Sequence, residues 1–502
     1  MAIESIGYAR LMAKYMLACR PLARVAVIDT TIKGRVENAD TLRFEPSYKP
    51  ENTLSGDLQF AFRYEGINLE VLYFLFQENI KNELEGWLNQ QPESKFARQA
   101  GFLYEWLTGN SITAIVPAKA AYIALLDVKL QFCMTDGERN QKFRVINNLP
   151  GNQQFCPLVR KTPFLKTIVE KNLKLRTQET LAKYDPDLLR RAAAFLYLKE
   201  TQSSFEVERE KPSPIRAQRF ADLLREAETG TPLSEDRFIA LQNAVTDARF
   251  HEASYRTKQN WIGDDLGYRK RISLVPARPQ ELHELMSGLV RQAESFRKNN
   301  HSIDSVVMAA CIAFGFVFIH PFMDGNGRLH RYLIHEILSA AGFTPKGIVL
   351  PVSAVILANL DEYVEVLESF SKPLIARTHY NPDVPDAPAT GNDAVFFRFF
   401  DATEQASFLY KALENTVEND LQQEIAFLLG FDVARAQLNE LLDWPAHALD
   451  LFIRLVHQNN YELSRTKKQS HFEWMSDDEA DKFQAIVKEA FYEATTPTHH
   501  SH

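Results

Sequence analysis

The 502-residue sequence is poor in cysteine, and the four it has, Cys19, Cys133, Cys156 and Cys311, are scattered. No pair has the spacing of a zinc site or a disulfide framework, so reduced core thiols are expected. Long apolar runs are missing as well, and nothing approaches the eighteen or so apolar residues of a membrane-spanning helix. The opening MAIESIGYARLMAKYMLACR is amphipathic but broken by Arg10 and Lys14, which makes a poor signal peptide. Positive charge is not in excess: the net charge is −8 and the pI near 6.0. That balance argues against a general nucleic-acid or membrane-surface binder. Together these absences point to a cytoplasmic protein with neither membrane nor nucleic acid as its main partner. Internal repeats and low-complexity segments are absent too. What remains, 45% hydrophobic and 24% charged, is ordinary globular composition, and the length suggests roughly two to four domains.

The chemistry is concentrated in His320–Arg331, HPFMDGNGRLHR. Leu329, Leu333 and Ile337 recur at helical spacing with Tyr332 beside them, so a helix is expected to start in the Gly-Asn-Gly turn. Arg328 and Arg331 then sit three apart on one face. A helix N-terminus already carries partial positive charge, so two cations there make sense if an anion fills the gap. The N–H groups of Gly325, Asn326 and Gly327 suit that anion. Asp324, just ahead of the turn, is of the type that holds Mg²⁺ against phosphate oxygens. His320, behind the apolar run FGFVFI, is a candidate base for an attacking hydroxyl. Taken singly, each residue fits an ordinary turn between buried helices. Matching eight specified positions by chance in such a chain has odds on the order of 1 in 10⁷ at average residue usage.

The string resembles the signature of the Fic (filamentation induced by cAMP) family, His-x-Phe-x-Asp/Glu-Gly-Asn-Gly-Arg-x-x-Arg, with no departure. The resemblance implies transfer of AMP from ATP to a Ser, Thr or Tyr hydroxyl of a protein. The kinase-like Doc branch carries Lys where this chain has Gly327. By the same resemblance His320 is the base and Asp324 the Mg²⁺ ligand. Gly325 to Gly327, with the Asn326 side chain, take the α-phosphate. Arg328 takes the β-phosphate and Arg331 the γ-phosphate, while Asn359 and Tyr363 line the adenine side. Two rival readings remain open: a hydrolase that removes AMP, and a non-enzymatic nucleotide sensor whose C-terminal segment, with Arg465, Lys467 and Lys468, touches nucleic acid.

Fic proteins also carry an inhibitory helix with Ser/Thr-x-x-x-Glu-Gly/Asn. Ser204 and Glu208 match it, but Arg209 stands where Gly or Asn is usual. A carboxylate there would pair with Arg331 in place of the γ-phosphate. Glu65, followed by Gly66, is a second candidate, although Ala61 occupies its serine position. Each glutamate also fits a plain capping or solvated role.

The rest of the chain reads as mainly α. Residues 1–184 form a mostly helical extension, with one short strand at 25–32, a linker at 44–52, helices over 55–130 and irregular or short β structure at 131–163. Residues 185–380 hold the Fic-type core. It begins with a helix at 186–210 broken near Ser203-Ser204, and its inhibitory segment is 200–210. Helices follow at 216–228 and 238–250. A β-hairpin flap over 250–276, its turn bracketed by Gly263 and Gly267, offers an edge to a protein target. Pro279 then opens a helix, and residues 302–320, apolar all round, form the buried central helix. A proline-rich linker at 379–393 leads to a helical domain at 381–502. The closing THHSH reads as a frayed tail.

Overall fold

The central helix, Ser305–Ile319, is buried at every residue from Val306 to Ile319, as an all-apolar helix must be. It belongs to a computed structural model that describes residues 4–495 except 115, 228–229, 269, 300–301 and 385. The THHSH tail and the end of the helix expected at 216–228 lie outside the described residues. Asp304 caps the central helix by accepting hydrogen bonds from Val306 and Val307, both at 3.0 Å. The helix stops at His320, which turns left-handed (φ +55°) ahead of Pro321, where the α conformation is disfavoured.

Five described helices pack on it: Leu282–Lys298, Asn326–Ala340, Leu360–Ile375, Ala394–Arg398 and Thr403–Asn415. Phe370 of the third stacks on Phe318 with ring centres 3.9 Å apart. The helix Pro186–Val207 packs across Asn326–Ala340 and is unbroken. The expected break at Ser203-Ser204 does not occur. Serine weakens a helix by competing for backbone hydrogen bonds, but both serines are buried here and Ser204 binds Arg331. The helix ends instead at Glu208, followed by Arg209 in a left-handed conformation (φ +57°).

The hairpin pairs Ile262–Asp265 with Lys270–Leu274. Only Gly267 is in its turn (φ +78°). Gly263 (φ +150°) sits inside the first strand, at the register shift after Ile262. A Cβ there would meet the Arg271 carbonyl oxygen at 1.9 Å, so it is a bulge glycine rather than a turn glycine. The helices expected at 216–228 and 238–250 run Pro214–Glu226 and Glu235–Val245.

The N-terminal segment has more β structure than the single strand expected. Glu4–Ser5, Val25–Ile28, Thr41–Phe44 and Arg35–Glu37 form one sheet in that order, Val25–Ile28 running parallel to Thr41–Phe44. Arg35–Glu37 is wholly exposed and lacks the alternating pattern that reveals a strand. The stretch expected as a linker starts at Phe44, a buried end of that sheet, and continues into a 3₁₀ turn, Pro46–Tyr48. Helices follow at Leu54–Tyr64, Leu69–Leu75, Lys81–Gln90 and Lys95–Thr108, where Gly109 (φ +71°) ends the helical run well before residue 130. Short strands Ile123–Ala124, Glu138–Asn140 and Val145–Asn147 come next. One apolar core extends from Tyr8 to Leu428, and a second runs from Ala434 to Phe491. The stretch 379–393 folds back on itself, His379 pairing with Thr390. Among the described residues no helix is long and apolar enough to cross a membrane.

Candidate active site

His320 follows directly from the end of the central helix. Its Nδ1 lies 3.1 Å from the Val317 carbonyl. A carbonyl only accepts, so Nδ1 carries the proton and Nε2 keeps its lone pair. Burial, with the charge of Arg256, lowers the ring's pKa to about 4, against the opposing pull of Val317, Glu208 and Asp324. The imidazole is therefore a neutral proton acceptor at pH 7.

The next residues are tied down from several sides. Arg256, itself buried, donates from Nε to the His320 carbonyl (2.8 Å) and from its backbone N–H to Pro321 (2.8 Å), while Nη2 reaches Ala277 at the hairpin's base. The Met323 N–H is taken by Glu252 Oε1 at 2.7 Å. The Asn326 side chain closes the loop on Phe322: Oδ1 accepts from its N–H (3.1 Å) and Nδ2 donates to its carbonyl (2.8 Å). These two bonds fix the side chain's orientation and leave the second Nδ2 hydrogen without a protein partner among the described residues.

The helix Asn326–Ala340 starts from Gly325 (φ +89°), with neither a side-chain cap nor an acidic residue in its first turn. Three carboxylates from elsewhere answer its two arginines. Arg328 donates to Asp324 Oδ1 (2.8 Å), Glu210 Oε2 (3.1 Å) and the Val245 carbonyl (2.9 Å). Arg331 donates from Nη1 to Glu208 Oε1 (2.9 Å), from Nε to Ser204 Oγ (2.9 Å) and from Nη2 to the Ser204 carbonyl (2.6 Å). Both arginines are 1% exposed. Burial would raise the Glu208 pKa, but the charge and hydrogen bond of Arg331 outweigh it and the carboxyl is held below its ordinary value.

Glu208 also rests on Gly327, where a Cβ would lie 2.1 Å from Oε1. The two helices thus run antiparallel, with contacts one turn apart. Glu208 meets Gly327, and Ser204 meets Arg331. Glu200 meets His335 Nε2 at 2.7 Å and accepts the Ser353 N–H at 2.8 Å. The signal for this ladder was in the sequence, as the i, i+4, i+8 spacing of Glu200-Ser204-Glu208 and of Gly327-Arg331-His335. The sequence reading did not include Glu200, His335, Glu210, Arg256 or Glu252.

Tyr363 is buried beside the site, close enough for the charges of Arg331 and Glu208 to act on its hydroxyl, and stacks on His330 (6.1 Å, 30°). Asn359 is exposed, and its Nδ2 donates to Val355 at 2.8 Å. Glu65 is not at the site. Its Oε1 accepts the Tyr8 N–H at 3.0 Å in the N-terminal segment, which rules out pairing with Arg331 in this arrangement.

Residues 232–338 match the profile of the Fic/DOC family. A Fido domain-containing protein of Dictyostelium discoideum is 37% identical over 104 residues, which is 21% of this chain and 65% of that protein. The protein adenylyltransferase Fic of Nematostella vectensis is 34% identical over 91 residues, 18% of this chain and 19% of its own. The protein adenylyltransferase fic-1 of Caenorhabditis elegans is 31% identical over 97 residues, 19% and 16%. The chain thus spans less than a fifth of these two enzymes. A Fic domain-containing signaling protein from Bacteroides thetaiotaomicron aligns at 20% identity over 49% of this chain and 95% of its own, with a TM-score of 0.35. With its signature string folded around Arg328 and Arg331 inside the matched segment, this chain carries a Fic/DOC-type domain over residues 232–338.

Proposed function

We propose that the protein is an adenylyltransferase that moves AMP from ATP to a Ser, Thr or Tyr hydroxyl of a protein target, and that Glu208 restrains it. The observation that carries this reading is the complete His320–Arg331 string, folded with its second arginine held by Glu208. His320 Nε2 takes the hydroxyl proton, the freed oxygen attacks the α-phosphorus, and pyrophosphate leaves. The N–H groups of Asn326 and Gly327, with that of Gly325 once Asp324 Oδ1 releases it, bind α-phosphate oxygens as charge builds there. Arg328 and Arg331 hold the β- and γ-phosphates once their carboxylate partners yield.

Asp324 fits as the Mg²⁺ ligand. Its contacts to Arg328 and Gly325 both fall on Oδ1, leaving Oδ2, and the carboxylate is 38% exposed. The ion, when bound, neutralises phosphate charge. The hairpin, exposed at Leu266 and Tyr268, is where a target segment would add as a strand. Intact mass of the wild-type and Glu208→Gly proteins and of candidate targets after incubation with ATP and Mg²⁺ tests the reading. An added AMP supports it. Removal of AMP from pre-modified protein would favour the hydrolase, and no change in either would overturn both.

A further inference from the structure

A crevice of about 380 Å³ lies between the N-terminal sheet and the helices that complete the main core. Leu42, Leu158, Phe370 and Phe400 supply apolar wall. Three arginines share that wall, Arg20, Arg24 and Arg160, and Arg20 is taken up by Glu70. Arg160 donates from Nε to Asp401 Oδ2 at 2.7 Å, and Arg24 pairs through Nη1 with Glu37. Their other guanidinium nitrogens have no protein hydrogen-bond partner among the described residues. Burial, and then the charge of Arg160, lower the pKa of Arg24, so the two cations are near enough to repel.

Glu65 completes the set. Its Oε1 is fixed by the Tyr8 N–H and packs on Gly7, where a Cβ would lie 2.0 Å away. Among the described residues no arginine or lysine hydrogen-bonds it. Burial raises its pKa to about 8, so at pH 7 it is mostly a neutral acid with an O–H to donate. Glu70, also in the wall, is occupied by Arg20 at 2.8 Å, and Glu404 is exposed. Two cations with spare donors and one O–H donor, set in apolar surroundings, make a receptor for an anionic group on an apolar body.

We propose that this crevice is a second ligand site, which takes a small molecule with an apolar ring or chain and a carboxylate or phosphate held between Arg24 and Arg160. The site is separate from the AMP-transfer site and does not depend on that reading. Calorimetric titration of the full-length protein at pH 7 with benzoate, phenyl phosphate and, as the cationic control, benzylamine tests it. Benzoate, phenyl phosphate or both should bind at millimolar concentration, and which one binds tells carboxylate from phosphate. Benzylamine should not bind. Arg24→Gln and Arg160→Gln should each weaken the anion by about tenfold or more, the size of a lost charge-assisted hydrogen bond. If Arg160→Gln unfolds because Asp401 loses its partner, Arg24→Gln decides, since Glu37 is exposed. Failure of both anions to bind, equal binding of benzylamine, or unchanged affinity in the folded variants would overturn the proposal.

Discussion

A Cβ at Gly327 would stand 2.1 Å from Glu208 Oε1. The same oxygen accepts the Arg331 Nη1 hydrogen bond at 2.9 Å. A single carboxylate oxygen therefore depends both on the arginine and on the absence of a side chain at the helix start. Gly327→Ala should expel Glu208, so its stability cost and that of Glu208→Gly should not add. Urea unfolding of the two single variants and the double should give a coupling of about 0.5–3 kcal/mol. Additive effects would mean that Glu208 does not rest on Gly327.

Arg209 follows Glu208 in the left-handed region (φ +57°) and its side chain is exposed. This gives a physical reason for Gly or Asn at that position, since L residues with longer side chains pay about 1–2 kcal/mol there. Arg209→Gly should raise the melting midpoint by roughly 1–2 °C and should not raise AMP transfer. A lower midpoint, or higher transfer, would show that the arginine side chain holds the helix in place.

Asp324→Ala should weaken Mg²⁺-dependent ATP binding by about tenfold or more, because the phosphates lose a ligand to their bridging cation. Calorimetry with and without EDTA measures it. Wild-type affinity indifferent to EDTA would contradict the role.

The pH dependence follows from His320. A base must be neutral to act, and burial lowers this ring's pKa to about 4. Activity should thus be present at neutral pH, persist as pH falls through 6.5, and be lost only near pH 4. In kcat/KM, which reports the free enzyme, an acid limb centred near 6.5 would contradict the assignment. The Glu208→Gly variant is suited to the measurement.

What could be read from the sequence followed the range of the signal. His320–Arg331 was legible because its parts lie within one loop and one turn of helix. The central helix was legible because every position of Val306–Ile319 is apolar. Glu208 opposite Arg331 was reached through the family pattern. Glu210 and the Glu200–His335 contact were not reached, because their partners lie 118 and 135 residues away. Ser203-Ser204 misled for the same reason: local propensity favoured a break, and a tertiary partner, Arg331, overrode it. Asn326 shows a further limit: that its amide also closes its own turn on Phe322 was not read from the sequence.

The central claim is that the loop at His320 transfers AMP and that Glu208 holds it back. The direct measurement is label incorporation from α-³²P-ATP with Mg²⁺ by wild type, Glu208→Gly, Glu65→Gly, and Glu208→Gly combined with His320→Ala. Removing the carboxylate frees Nη1 of Arg331, so Glu208→Gly should label itself or a target about tenfold or more above wild type, the scale of a lost hydrogen bond to a charged group. Glu65→Gly should match wild type, because its carboxyl lies elsewhere. Adding His320→Ala should lower the label by ~10²–10⁴-fold, as for loss of a general base. Equal or lower label with Glu208→Gly, or label that survives the loss of His320, would contradict the account.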